Sequence, residues 1–295
     1  IEDAGHTSDR HYRSSEWWNS PDFEKIATNK SLDKTITPAY VEVNFNQACN
    51  FKCVYCSPHL STSWQEEAEK YGAYILKDAA YDHLGALTEY GLMPKKISQK
   101  ENPYVEAFWK WWPELYKTLK IFRMTGGEPL LDKNTYRVFD YVLTNPSPRL
   151  HLNVTSNFSV DEKSWQKYLA YVTQICDGRI EHFMQYVSLD SGIRAHAEYI
   201  RHGMSFERVV WNVNRYLEEI PYRNSLTFII TMNNLSIVGL QAQLDWILNL
   251  RKQHSTTYQR VWFDTPVLRT PSWQSIQIMP WVYVKRMEDV LKWMQ

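Results

Sequence analysis

The sequence predicts an α/β fold, an open, partial (β/α)6 TIM-like barrel with a helical insertion near its start. The first observation is that, from Ala39 onward, short apolar runs alternate with longer amphipathic stretches. Strand–helix units of this kind build a parallel sheet. The second observation is that only six such units occur, whereas a closed barrel has eight strands. We therefore expect an open barrel whose site lies in loops at the C-terminal ends of its strands.

Six segments are predicted as strands because each is a short run rich in apolar, β-branched and aromatic side chains. They comprise residues 39–45, 120–125, 150–156, 183–190, 226–232 and 260–268. Helices are predicted between the strands where Asn, Asp or Ser precedes amphipathic sequence, since these residues cap free N–H groups at helix starts. The helices are expected to begin near Asn134, Asp161, Ser205 and Ser236.

The chain divides into a barrel at residues 39–270, an N-terminal extension at 1–38 and a C-terminal helical tail at 271–295. Trp17 and Trp18 are expected to anchor the extension on the barrel. Residues 57–119 are far longer than one crossover requires, so they form either a lid over the site or an extra helical layer. This insertion includes a lysine group at residues 95–100 and three tryptophans, which we interpret mainly as packing residues: Trp109, Trp111 and Trp112.

Composition excludes several classes of function. Lysine plus arginine and aspartate plus glutamate each number 33, and the pI is near 7.3, so nucleic acid is disfavoured as a partner. No apolar run reaches the eighteen or so residues that a membrane span requires. The N-terminal sequence is polar and lacks a charged segment followed by an apolar one, so we expect a cytoplasmic protein.

Three of the four cysteines lie within eight positions, directly after the first predicted strand. Cys49, Cys53 and Cys56 are too few and too close for a disulfide scaffold, which favours a metal or a cluster. A four-iron cluster held by three thiolates keeps one iron open to an outside ligand. Alternatively, His59 completes a Cys3His zinc site in a non-catalytic interaction protein. Spacing alone leaves both interpretations open.

The C-x3-C-x2-C pattern, with Tyr55 before its last cysteine and "GGEP" at residues 126–129 after the second strand, resembles the radical S-adenosylmethionine enzymes. Residues 188–217 are similar to the subgroup with SPASM or twitch extensions, although the auxiliary-cluster cysteines of that subgroup are lacking. The resemblance implies one [4Fe–4S] cluster on Cys49, Cys53 and Cys56. It also implies an electron from flavodoxin or ferredoxin, which cleaves S-adenosylmethionine to a 5'-deoxyadenosyl radical. This radical then abstracts hydrogen from a peptide or a small metabolite.

The resemblance also implies which residues contact S-adenosylmethionine. They are Tyr55, Gly126, Gly127, Glu128, Pro129, Ser156, Asn157, Ser188, Asp190 and Arg201. Glu128 would offer its carboxylate to the ammonium group of the methionine, and backbone at Tyr55 and at residues 267–268 would bracket the adenine. The polar strand ends at 156–157 and 188–190 contact the cofactor or cap helices. Arg201 pairs with the methionine carboxylate or lies on the surface. Cys176 is expected to be inert, and no catalytic side chain is identified.

Overall fold

We describe the protein from a computed structural model that covers residues 37–72, 88–89, 91, 93 and 102–294. Two features predicted from the sequence lie outside these residues. They are the N-terminal extension with Trp17 and Trp18, and the lysine group at residues 95–100.

A parallel sheet of six strands forms the centre of the fold, and all six predicted strands are confirmed. The strands are β1 (Tyr40–Asn44), β3 (Ile121–Thr125), β4 (Ser147–Ser156), β5 (Ile180–Ser188), β7 (Ser225–Ile229) and β8 (Val261–Asp264). Each strand pairs with the next one in this order, so neighbours in the sheet are neighbours in the chain. That order is typical of a barrel wound in one direction. Two short segments, β2 (Lys52–Cys53) and β6 (Arg201–His202), form a separate antiparallel ribbon.

Eight α-helices are described. They are α1 (Thr62–Tyr71), α2 (Pro103–Tyr116), α3 (Lys133–Thr144), α4 (Glu162–Cys176), α5 (Arg194–Ile200), α6 (Phe206–Glu219), α7 (Leu240–His254) and α8 (Val282–Met294). Asp161 and Ser205 are N-caps as predicted, because their side chains accept from backbone N–H groups of the first turn. The predicted start near Asn134 is confirmed to within one residue, since α3 begins at Lys133 with Asp132 as its N-cap. A 3-10 turn, Ile237–Gly239, follows Ser236 and precedes α7.

The two faces of the sheet differ in polarity. The outer face is apolar and packs against the helices, with Phe122, Val154, Phe183, Phe228 and Val261 all buried. The inner face carries polar side chains that alternate with these along the strands. They include Glu42, Arg123, Asn153, His182 and Tyr186. A parallel sheet covered by helices on both faces is apolar on both. The polar inner face therefore identifies the inside of an open barrel.

The tryptophan-rich stretch forms α2, which belongs to the outer helical layer. Trp112 is 1% exposed and its ring lies 4.7 Å from that of Phe122, centroid to centroid. Trp109 stacks on Phe45 and donates its indole N–H to Asn134. Trp111 is 41% exposed. This stretch supports the helical-layer alternative rather than the lid.

The C-terminal tail contains two 3-10 turns, Ser272–Gln274 and Ile276–Ile278, followed by α8. Within the part of the chain that the structure describes, every helix is too short or too polar to cross a lipid bilayer.

Candidate active site

The three clustered cysteines lie in one loop, residues 45–57, which leaves β1 at the C-terminal edge of the sheet; we call it the cysteine loop. Its middle is held by the β2–β6 ribbon and by a bond of 2.9 Å from the Val54 N–H to the Ile200 carbonyl. Helix α1 follows the loop and turns back on it. The Trp64 indole donates to the Cys53 carbonyl at 2.9 Å, and Ser63 donates to the Cys49 carbonyl at 2.6 Å. These bonds fix the loop in its first half and at its centre.

Cys53 is buried, Cys49 and Cys56 are half-buried, and burial raises the pKa values of all three thiols. The pKa of Cys49 rises to about 11 and that of Cys53 to about 12, and the pKa of Cys56 is also raised. Two donors approach the sulfur atoms. The Phe51 N–H donates to Cys49 Sγ at 3.4 Å, and Arg201 Nη1 lies 3.9 Å from Cys53 Sγ. Such donors stabilise thiolates and adjust the potentials of iron–sulfur clusters.

The three cysteine side chains fit an iron–sulfur cluster in their chemistry. They are three thiols from one loop, and thiolates are the ligands that iron–sulfur clusters use. Over the described residues, no three His, Cys, Asp or Glu side chains lie close enough together to hold a metal ion as they stand. The three thiols would lose their protons on binding a cluster. The zinc alternative gains no support, because within the described residues His59 joins no group of three side chains that could hold one metal ion; its Nδ1 lies 2.8 Å from Ser57 Oγ.

The glycines of the "GGEP" turn allow two backbones to meet. Gly127 N–H donates to the Asn46 carbonyl at 3.2 Å, and Glu128 N–H donates to the Ala48 carbonyl at 2.6 Å. A Cβ atom added at Gly127 would lie 2.2 Å from the Ala48 carbonyl oxygen. Gly126 has φ of 126°, which favours glycine. These glycines therefore let the "GGEP" turn lie directly against the cysteine loop, and their contact with S-adenosylmethionine stays a prediction.

Glu128 is buried and its carboxylate joins two strand ends. It is 1% exposed and accepts hydrogen bonds from Leu130 N–H at 3.0 Å, Ser156 Oγ at 2.8 Å and Asn157 N–H at 2.7 Å. Burial raises its pKa to about 7, although these three donors oppose the shift. Pro129, which is itself buried, begins the 3-10 turn that follows. Hydrogen bonds to the Glu128 carboxylate thus hold Ser156 and Asn157 beside it. The contact of these three residues with S-adenosylmethionine stays a prediction.

Asp190 and Arg201 form a buried ion pair behind the cysteine loop. Arg201 Nε and Nη2 lie 2.9 Å and 3.0 Å from the two Asp190 carboxylate oxygens. Tyr55 OH donates to the same carboxylate at 2.7 Å, and Thr231 N–H donates at 2.9 Å. The placement of Arg201 on the surface is therefore wrong. Its pairing with the methionine carboxylate stays a prediction, as do the proposed contacts of Tyr55 and Asp190.

The remaining predicted residues lie apart from these networks. Ser188 ends β5 on the inner face of the barrel, half-buried. Residues 267–268 run beside residue 232, where Leu268 N–H donates to the Met232 carbonyl at 2.9 Å. Cys176 ends helix α4, on the opposite side of the sheet from the strands' C-terminal loops, and burial raises its pKa.

Two residues that hold the site together were missed from the sequence. Asn50 accepts from Asn157 Nδ2 at 2.8 Å and donates to the Ser159 carbonyl at 3.0 Å. Its place inside the cysteine motif was the available signal. Gln274 donates to the Val54 carbonyl at 2.9 Å, and nothing in the local sequence indicates a contact with a partner so distant in the chain.

Comparison with known proteins places this fold. No protein-family model matches the chain, and no curated protein matches its sequence. Among solved structures, Streptococcus suis SuiB bound to S-adenosylmethionine is similar, with a TM-score of 0.51 and 11% identity over 97% of this chain and 53% of that one. SuiB bound to its precursor peptide SuiA gives a TM-score of 0.48 at 11% identity, over 92% and 49%. TYW1 with a lysine-pyruvate adduct gives 0.39 at 14% identity, over 86% and 72%.

The likeness to the S-adenosylmethionine-bound SuiB structure establishes the fold. This fold agrees with the open, partial barrel that the sequence predicted. This chain spans about half the length of the SuiB structures that it matches.

Proposed function

We propose that this chain is a radical S-adenosylmethionine enzyme that holds one [4Fe–4S] cluster on Cys49, Cys53 and Cys56. The observation that carries the proposal is the union of two motifs at one edge of an open parallel barrel. The cysteine loop leaves β1 and the "GGEP" turn leaves β3, and backbone bonds of 2.6 and 3.2 Å join them. The motifs are more than 65 residues apart in the chain, so their contact is a property of the fold.

When bound, a cluster of this type supplies the electron that cleaves S-adenosylmethionine to methionine and a 5'-deoxyadenosyl radical, which then abstracts hydrogen from the substrate. The residues of this chain prepare the site for that chemistry. The three thiols lose their protons on binding, and the Phe51 N–H and the Arg201 guanidinium then stabilise charge on the sulfur atoms. A fourth protein ligand is unnecessary, because three cysteines leave one iron of the cluster open to S-adenosylmethionine.

The proposed binding surface for S-adenosylmethionine is the rim formed by the ends of β3, β4 and β5. The rim carries Gly126, Gly127, Glu128, Pro129, Ser156, Asn157, Ser188 and Asp190, with Tyr55 and Arg201 behind it. The internal bonds of Glu128 and Asp190 hold the three strand ends at fixed positions. Preformed rims of this kind reduce the entropy that binding costs.

The proposed partners follow from the same chemistry. A reducing protein such as flavodoxin or ferredoxin would supply the electron, and the substrate would be a peptide or a small metabolite. The similarity of residues 188–217 to the subgroup that includes peptide-modifying enzymes supports the peptide. The balanced charge of the chain disfavours nucleic acid, and we propose a cytoplasmic location.

The test is anaerobic reconstitution with iron and sulfide, followed by reduction with dithionite in the presence of S-adenosylmethionine. We expect a brown protein with about four irons and four sulfides per chain. We also expect slow formation of 5'-deoxyadenosine without added substrate, because the open barrel leaves the radical unprotected. Cys53→Ala should lose both. A colourless protein that binds one zinc, or a fully iron-loaded protein that forms no 5'-deoxyadenosine, would overturn the proposal.

A further inference from the structure

We infer that Arg123, Asn153 and Tyr186, on the inner face of the barrel, form a binding site for an oxyanion group, a carboxylate or a phosphate, of the substrate. The inference rests on the proposed function only in assigning the bound group to a substrate. The site itself is argued from side-chain contacts, which need neither cluster nor S-adenosylmethionine.

The guanidinium of Arg123 is held in place on two sides. Its Cζ lies 4.3 Å from the centroid of the Tyr186 ring, so the cation rests on the aromatic face. Its Nε and Nη2 donate to Thr155 Oγ1 at 3.3 and 3.2 Å. An arginine fixed in this way loses little entropy when it binds, because its planar fork is already oriented.

Part of the hydrogen-bonding capacity of Arg123 remains available. The guanidinium has five N–H groups; Thr155 Oγ1 accepts from Nε and Nη2, and the Tyr40 hydroxyl is also within its hydrogen-bonding reach. Glu42 forms an ion pair with Nη1 at 3.7 Å, longer than a hydrogen bond. The same carboxylate also accepts from Tyr40 OH at 2.9 Å and from Thr125 Oγ1 at 3.3 Å. Arg123 can therefore still offer N–H groups to an oxyanion such as a carboxylate or a phosphate.

Asn153 points to the same ligand. It is paired with Arg123 across β3 and β4, so both side chains project from the inner face. It is only 8% exposed, yet its amide makes no hydrogen bond to any residue in the described ranges. An amide without protein partners at a mostly buried position is available to a ligand or to ordered water. The Asn153 NH2 group is a further donor for an oxyanion at Arg123.

The location of Arg123 suits a substrate. Two residues after it, β3 ends at Thr125 and the chain enters the "GGEP" turn. An oxyanion bound here would anchor a substrate on the inner face of the barrel, below the rim proposed to hold S-adenosylmethionine. Ligands of α/β barrels bind at the C-terminal ends of the strands, and Arg123 lies two residues from that end of β3.

The test uses the purified chain, without cluster, labelled for NMR of arginine side chains and backbone amides. Sodium succinate and inorganic phosphate are the two probes, titrated at pH 7 and constant ionic strength. We expect saturable shifts of the Arg123 Nε signal, identified by its loss in Arg123→Lys. The affinity for each probe, measured from the backbone amide signals of β3 and β4, should fall about tenfold or more in Arg123→Lys, because lysine lacks the paired N–H groups of the guanidinium. Asn153→Ala should weaken it about three- to tenfold.

Arg194 provides the matched control, since it lies exposed on the outer surface in pairs with Glu198 and Glu207. Its signal should shift without saturation, and Arg194→Lys should bind both probes as the wild type does. Saturation by either probe supports the inference, and the tighter probe identifies the group. Unsaturated shifts at Arg123 with both probes, like those at Arg194, would overturn it. The wild-type titration decides this even if a variant misfolds. If neither probe binds, the proposal of S-adenosylmethionine cleavage is unaffected. If no cleavage is observed, the inference of an oxyanion site is unaffected.

Discussion

At Arg201, one side chain links a buried carboxylate to the cysteine loop. Asp190 is fully buried and accepts from Arg201, Tyr55 and Thr231, while the third nitrogen of the guanidinium approaches Cys53 Sγ. A buried charge is tolerated only when it is paired and hydrogen-bonded, so each member of this set depends on the others. The network therefore positions the second cysteine through electrostatics rather than apolar packing.

Removing Arg201 should be far more costly than removing a surface arginine. Arg201→Met leaves the buried Asp190 carboxylate without its ion-pair partner, so we expect a loss of about 3–5 kcal/mol in the free energy of unfolding. Arg194→Met, in exposed pairs with Glu198 and Glu207, should cost less than about 1 kcal/mol. Urea denaturation of both variants measures the difference. Equal losses would show that the buried pair contributes no more than the surface ones.

The cysteines give a second prediction at the residue scale. Alanine at Cys49, Cys53 or Cys56 should abolish iron and sulfide binding after anaerobic reconstitution, because each thiolate is one of three ligands. Cys176→Ala should bind the wild-type amount, since this residue ends α4 away from the cysteine loop. Iron and sulfide analysis of the four variants provides the measurement. Loss of the cluster in Cys176→Ala, as complete as in Cys53→Ala, would refute the assignment.

At the scale of elements, α2 shows how a motif that attracts functional interpretation can serve packing. Its aromatic side chains join Phe45 from the end of β1 to Phe122 of β3, through Phe108 and Trp112. The helix thereby covers the outer face of the first two strands, whose C-terminal loops carry the cysteines and the "GGEP" turn. Large rings suit this position because they bury the most area per side chain.

Two tryptophans one residue apart in α2 should respond differently to truncation. Trp112→Ala should lower the free energy of unfolding by about 3–5 kcal/mol, because Trp112 is fully packed. Trp111→Ala should change it by less than about 0.5 kcal/mol, since Trp111 is on the exposed side of the same helix. Thermal and urea denaturation of both variants test this. A well-folded Trp112→Ala variant with wild-type stability would show that packing of α2 against the sheet does not stabilise the core.

At the scale of the whole molecule, the charges cancel, with 33 basic and 33 acidic residues. General charge repulsion is therefore small near neutral pH, and particular buried groups should dominate the dependence of stability on pH. His182, on the inner face of the sheet, is one of them. Burial, with the neighbouring His151 as a smaller contribution, lowers its pKa to about 4 from the ordinary value of 6.5.

His182 should make the fold sensitive to acid. Between pH 4 and 6.5 the unfolded chain binds a proton at this ring and the folded protein does not, so stability falls as pH falls through this window. The loss reaches about 3 kcal/mol below pH 4. His182→Asn should remove this part of the dependence. Urea denaturation at pH 7, 5.5 and 4.5 measures it, with the exposed His202→Asn as control. Identical pH dependence in the wild type and His182→Asn would contradict the prediction.

The sequence by itself determined the sheet and the motifs. Each of the six strands is a local run of apolar and β-branched residues, and β1 directly precedes the cysteine loop, so both could be predicted from neighbouring residues. The caps at Asp161 and Ser205 were predictable for the same reason. The start of α3 near Asn134 was likewise predictable: the helix begins at Lys133, and the Asp132 carboxylate accepts from the Asn134 N–H.

Only the tertiary structure decided what these residues contact. Glu128 meets Ser156 and Asn157, and Asp190 meets Arg201 and Tyr55, through pairs that lie from 11 to 135 residues apart in the chain. Sequence periodicity reports which side of a strand a residue occupies, but the partner across the sheet is set by strand order and register. The same holds for Arg123 and Asn153, whose pairing on the inner face exists only because β3 and β4 lie side by side.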